Sequence, residues 1–192
     1  MRKAINPFSD PNITGWNAVA TARIAATLEF LEANRPQIIG RVLDIGGDSP
    51  MSRAIASRFP VELVHTPPDL DLDLHSLDGE WDQIFSFEVI EHLGSPLRHL
   101  LEMKAHLKPG GSIWLSTPLV VNRLRPTHAF RSKHHVFEMD WVQLDFLIEK
   151  ANLRVTRYKI CRYLPVWKYF TGIRPVIRFF TDRCILLQLS AS

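Results

Sequence analysis

The apolar positions fall into short blocks with alternating periods. Trp16, Val19, Ile24, Leu28 and Leu31 recur at helical spacing among alanines, which predicts a helix from Gly15 to about Asn34, closed by Asn34-Arg35-Pro36. Arg41–Ile45 reads as a short buried strand running into Gly46-Gly47-Asp48-Ser49-Pro50. Ser49 can cap, and Pro50 begin, a helix through Ile55 and Phe59. Val61–Val64 is the expected second strand.

The most informative block is Trp81–Pro118, which reads strand, polar turn, helix, glycine turn, strand. Asp82 opens the apolar run Gln83–Phe87, and Glu88, Glu91 and His92 follow at once. Ser95-Pro96 resembles an N-cap with proline in the first turn. Leu97, Leu100, Leu101 and Leu107 keep near-helical spacing until Lys108-Pro109-Gly110-Gly111 stops the helix. Ile113–Leu115 is then a strand ended by Ser116-Thr117-Pro118. Met139 to about Lys150 is amphipathic, Leu153–Arg162 alternates as a strand, and Arg183–Leu189 is the last strand. Strands alternating with helices predict an open, mostly parallel α/β sheet, whose ligands lie beyond the carboxyl ends of the strands.

Composition narrows the class. At 192 residues and 46% hydrophobic, the chain is expected to form one domain over residues 1–192 with a full core. Residues 1–14, polar with Pro7 and Pro11, are expected to form an arm. The formal charge of +3 is too small to imply nucleic acid by itself, but it is unevenly spread. From Ala151 onward there are eight Lys/Arg against one acid, Asp182, whereas residues 62–91 are acidic. Two cysteines, Cys161 and Cys184, are no disulfide framework and imply a reducing compartment. With no 18-residue apolar run and no apolar stretch after Met1-Arg2-Lys3, a transmembrane segment and a secretory signal are not expected, and the cytoplasm is the expected location.

The stretch VLDIGGDSP resembles the first motif of class I S-adenosylmethionine-dependent methyltransferases, a strand ending D-x-G-x-G-x-G. WDQIFSFEVIEHL followed by HLKPGGSIWLSTP resembles their later strand–helix–strand block, in the type 11/23-like, E-V-I-E-H subgroup. The likeness covers roughly residues 38–160. It implies a Rossmann-like, doubly wound sheet of about six or seven strands with helices on both faces, and S-adenosylmethionine as cofactor. Gly46 and Gly47 would let the backbone approach the cofactor, the α-helix start would receive its carboxylate, and Asp44 would attract its ammonium. Phe87 belongs to the same expected cofactor set. The later glycines of the motif fall on Asp48 and Pro50. Asp48, the remaining cofactor residue, brings negative charge near the expected carboxylate unless it turns elsewhere.

At the end of the second strand, where family members often carry a ribose-binding acid, this chain has His65-Thr66-Pro67-Pro68. Only 15 residues separate His65 from Trp81, too few for a full helix and strand, so a trimmed third-strand region around Asp69–Leu74 is expected. Asp73, with Asp71 as alternate, matches the family acid that reaches the adenine amino group.

Glu88, Glu91 and His92 have i, i+3, i+4 spacing and would share one face if the turn after Phe87 were helical. Two carboxylates and an imidazole suit Mg²⁺, Mn²⁺ or Zn²⁺. The pairing of E-V-I-E-H with H-x-F-E, at His135–Glu138, resembles metal-dependent 2′-O-methyltransferases of small-RNA ends and quinone-biosynthesis O-methyltransferases. That resemblance makes His135 a fourth ligand of magnesium or manganese, which would activate an acceptor hydroxyl. Without metal, His92 or His135 is the expected general base. The acceptor, small molecule or nucleic acid, is left open. The basic-aromatic segment 163–181, with Lys168, Arg174 and Arg178, could contact an anionic partner, a membrane surface or nucleic acid, or simply connect two strands. The rival from another class is a non-catalytic protein of this fold that binds a partner. Asp48, Pro50 and the acid missing at His65 favour it, and the intact E-V-I-E-H block favours the enzyme.

Overall fold

The structure, a computed structural model, describes residues 16–66, 79–120, 135–162, 170 and 182–192. The expected arm 1–14, the trimmed segment with Asp69, Asp71 and Asp73, His134, and the basic-aromatic segment apart from Phe170 lie outside the described residues. The elements are α1 (Trp16–Glu32), β1 (Gly40–Ile45), α2 (Pro50–Arg58), β2 (Val61–His65), β3 (Trp81–Phe87), α3 (Pro96–Ala105), β4 (Leu107–Val120), α4 (Trp141–Lys150), β5 (Leu153–Cys161) and β6 (Asp182–Ala191).

The described strands form one six-stranded sheet in the order β2-β1-β3-β4-β6-β5. β2, β1, β3 and β4 run parallel, and β6 is antiparallel to both β4 and β5. The Rossmann-like α/β class expected from the sequence therefore holds. The family resemblance implies an antiparallel last strand at the sheet edge; β6 is antiparallel, but it lies between β4 and β5, and the edge is β5. The reason is burial. Cys184–Leu189 of β6 are buried in unbroken succession, whereas β5 alternates and exposes Arg154, Thr156, Arg157 and Tyr158.

Two further boundaries differ from expectation. Ser116-Thr117-Pro118 does not end β4, because β6 keeps pairing with it as far as Val120 opposite Asp182. β3 pairs only as far as Ser116, so Pro118 lies where the ladder on that side has stopped and a missing N–H is tolerated. The turn Lys108–Gly111 falls inside β4 as an irregularity, where the register with β3 jumps from Trp81–Leu107 to Gln83–Ser112. Gly111 is required there, since a Cβ would stand 2.8 Å from the Asp82 carbonyl oxygen. Ser95 does not cap α3 with its side chain; Pro96 opens the helix without it.

Core packing divides by sheet face. Leu43, Ile45, Ile84, Ile113, Leu115, Ile185 and Leu187 pack against Leu100 and Met103 of α3 and Leu144 and Ile148 of α4. Val42, Phe85, Trp114 and Leu186 face the other way, against Phe30 and Leu31 of α1 and Ile55 of α2. This alternation decides where each polar side chain at the strand ends points. No helix among the described residues is long and apolar enough to cross a membrane.

Candidate active site

β1 ends in a turn that needs glycine twice. Gly46 has φ 119° and Gly47 φ 80°, both in the left-handed range that side chains disfavour. Ser49 then caps α2 by accepting from the Ser52 N–H at 3.1 Å, and Pro50 occupies the first turn. Thr66 fastens this turn to the end of β2: its N–H donates to the Asp44 carbonyl at 3.1 Å, and its hydroxyl accepts from the Gly46 N–H at 3.3 Å.

Asp44 is 5% exposed, and its Oδ2 has no hydrogen-bond partner among the described residues. His65 Nδ1 lies 3.1 Å from that oxygen, an ion pair whenever the imidazole carries its second proton. Burial pushes the Asp44 carboxyl up to about 6, with Ser52 and His65 acting in the opposite direction. A desolvated carboxylate beside a glycine turn and a helix start suits a ligand bearing both a cation and an anion, as S-adenosylmethionine does. Asp48, suspected of repelling the anionic end, is drawn outward by Arg53, whose Nε lies 2.9 and 3.2 Å from its two carboxylate oxygens. Phe87 is buried against Phe85, ring centroids 5.3 Å apart, in the core on the α1 side.

The acceptor-side residues separate into two groups. Glu88 has φ 58° and ends β3, and only Ile90–His92 form a short 3₁₀ turn. The single helical face expected for Glu88, Glu91 and His92 therefore does not form. Successive residues of β4 explain the split, because Ser116 and Thr117 point to opposite faces of the sheet. Ser116 Oγ donates to Glu88 Oε1 at 2.9 Å on the α1 face, and Thr117 Oγ1 donates to Glu91 Oε2 at 3.1 Å on the other.

Glu88 is satisfied where it lies. Besides Ser116 it pairs with Arg23 of α1 and accepts from the Cys184 thiol at 3.2 Å. Burial raises its carboxyl, but Arg23, Ser116 and Cys184 outweigh burial and hold it below the usual range. Glu91, 1% exposed, is pushed well up, first by burial and then by the charge of Glu88. Its Oε1 has no hydrogen-bond partner among the described residues. The Glu91 carbonyl accepts from the N–H groups of Val136 and Phe137, at 2.8 and 3.0 Å, which brings His135 alongside. The rings of His92 and His135 meet edge-on, centroids 5.0 Å apart, and His135 Nδ1 is 3.1 Å from Glu138 Oε1. Ligand atoms of Glu91, His92 and His135 all lie within 4.8 Å of one another, a set able to hold a metal ion. His135, expected as the fourth ligand, is in that set, and Glu88, expected as a ligand beside Glu91 and His92, is outside it.

Matched residues 16–158 place the chain under the methyltransferase domain family. The chain belongs to the class I S-adenosylmethionine-dependent methyltransferases. A tRNA U34 carboxymethyltransferase of Geobacter sp. (strain M21) is 38% identical over 69 residues, which are 36% of this chain and 19% of that protein. The match thus spans about a fifth of the curated relative's length. Among solved structures, a cyclase superposes with TM-score 0.64 at 16% identity, covering 88% of this methyltransferase and 81% of the cyclase. A phosphoethanolamine N-methyltransferase 2 of Haemonchus contortus, bound to phosphomonomethylethanolamine and S-adenosylhomocysteine, gives 0.60 at 15%, covering 87% and 52%. These likenesses carry the fold and no more, and a cyclase among them shows that the fold does not select one reaction.

Arg23, Ser116, Thr117 and Cys184 are site neighbours that no motif in the sequence marks. Arg23 did leave a signal: it is the one cation within α1, set among alanine and apolar residues. For Ser116 and Thr117 the signal was their position at the end of a strand, where they read only as terminators.

Proposed function

We propose that this methyltransferase moves a methyl group from S-adenosylmethionine to an oxygen or nitrogen acceptor held beside Glu91, His92 and His135. The observation that carries the reading is the buried Asp44 carboxylate, its Oδ2 without a hydrogen bond among the described residues, next to the glycine turn and the start of α2. Asp44 binds the cofactor's ammonium. Gly46, Gly47 and the α2 N-terminus take its carboxylate end, with Asp48 restrained by Arg53. Asp73 remains the proposed adenine contact. The bound cofactor supplies a methyl group already activated on a sulfonium, so position and orientation are the protein's main contribution. As the new bond to the acceptor forms in line, the carbon–sulfur bond breaks and the acceptor's proton passes to His92 or His135.

The donor set also fits a divalent cation of the magnesium or manganese type. Glu91 Oε1, buried and without a hydrogen-bond partner among the described residues, would hold it together with His92 and His135. There it would lower the pKa of an acceptor hydroxyl. The partial relatives' name puts tRNA among the first acceptors to assay, ahead of small hydroxylated and aminated compounds. Transfer of labelled methyl from S-adenosylmethionine to these two substrate pools tests the reading. It predicts incorporation by the unaltered protein and loss in Asp44→Asn; no incorporation into either pool would count against it.

A further inference from the structure

The family's usual acid at the end of β2 is replaced here by His65, and the structure gives that histidine a specific partner. Asp44 and His65 are direct register partners at the carboxyl ends of the adjacent parallel strands β1 and β2. Directly opposed residues project to the same face, which is why the imidazole reaches the carboxylate. Thr66 locks the arrangement by bonding both the Asp44 carbonyl and the Gly46 N–H. His65 Nδ1 lies 3.1 Å from the buried Asp44 Oδ2, which has no hydrogen bond among the described residues, while a third of the His65 side chain remains exposed.

We propose that His65 is a cofactor-site residue whose protonated imidazole holds the position of the cofactor's ammonium on Asp44, so that cofactor binding displaces it and releases a proton. This rests on the reading of Asp44 as the ammonium seat. One buried carboxylate cannot balance two cations at close range, and an imidazole is the partner that can shed its charge near neutral pH. The other described groups around the pair leave this exchange intact. Asp48 is neutralised by Arg53 on the α2 side, Ser52 is uncharged, and at the end of β3 Glu88 is compensated by Arg23. Burial, which favours a proton shared within the pair, adds to the linkage.

The consequence is a cofactor affinity that rises with pH until the pair has lost its proton, by up to about tenfold per pH unit for one proton released. The test follows the His65 ring by NMR on histidine-labelled protein, its signal assigned with His65→Asn, during pH titrations with and without S-adenosylhomocysteine. The expected result is a His65 titration displaced to lower pH by the ligand. Calorimetry in buffers of differing ionisation enthalpy should then report close to one proton released per ligand below neutral pH. Binding with an unmoved His65 titration and no proton release overturns this proposal and leaves Asp44 as the ammonium seat. Absence of any binding at about pH 8 overturns both.

Discussion

Arg53 grips both carboxylate oxygens of Asp48, with Nε at 2.9 and 3.2 Å and Nη2 at 3.0 Å from Oδ2. The Arg53 hydrogen bonds hold the Asp48 carboxyl below its usual range against an opposing desolvation, which favours the charged form while it points at a cation. The altered glycine motif thus keeps an acid where a glycine is usual without turning its charge on the seat proposed for the cofactor's carboxylate.

Removing that restraint should expose the repulsion. Arg53→Ala is expected to weaken S-adenosylhomocysteine binding by about three- to tenfold, with the larger loss at low salt, where an exposed charge is least screened. Because the pair is exposed, the melting temperature should stay within about 2 °C of the unaltered protein. Binding calorimetry at two salt concentrations, paired with a thermal melt, checks both.

Asp44 should trade stability for binding. Its carboxyl is raised from 3.8 to about 6 by burial, so the folded state resists ionising it. That cost is absent below about pH 4, grows between pH 4 and 6, and is complete above, where it reaches at most about 3 kcal/mol. Asp44→Asn should therefore stabilise the cofactor-free protein in urea unfolding at about pH 7.5 and give no gain at about pH 4. The same substitution should weaken cofactor binding by about a hundredfold or more. A stability gain independent of pH would refute the assignment of the cost to the Asp44 charge.

The Arg23–Glu88 pair ties α1 to the end of β3 in a buried setting. Arg23→Met should cost about 3–5 kcal/mol, because it leaves Glu88 charged or forces it to take a proton without its main partner. Glu88→Gln alone should cost less. The double variant should recover a substantial part of the loss, and a double-mutant cycle from urea unfolding reads the coupling.

Much of this was legible in the sequence, and the parts that were not share a cause. Helix caps, glycine turns and buried strands are local, so Ser49-Pro50, Gly46-Gly47 and Gln83–Phe87 announced themselves. The division of Glu88 from Glu91 depends on Ser116 and Thr117, which are distant in sequence and meet them only through strand register. The 3-and-4 spacing of Glu88, Glu91 and His92 promised a shared face, but the left-handed Glu88 breaks the helix that such spacing assumes. Strand order was similarly hidden: β6 looked like an edge until its continuous burial placed it inside the sheet.

The Glu91–His92–His135 set makes a prediction about metal. Burial and the charge of Glu88 favour the protonated form of Glu91, which Gln imitates, so Glu91→Gln should preserve the fold. Added manganese should raise the melting temperature of the unaltered protein, corresponding to about 2.7 kcal/mol at a hundredfold excess over Kd. Glu91→Gln and His135→Ala should both lose that rise. A manganese shift unchanged in both variants would remove these residues as ligands.

The most direct test of the account is calorimetric titration of S-adenosylmethionine into the unaltered chain and into Asp44→Asn, above neutral pH. The account predicts saturable one-site binding to the unaltered chain and a loss of about a hundredfold or more in the variant, as expected for removing a buried charged partner. No binding at millimolar cofactor, or equal binding to both proteins, would contradict it.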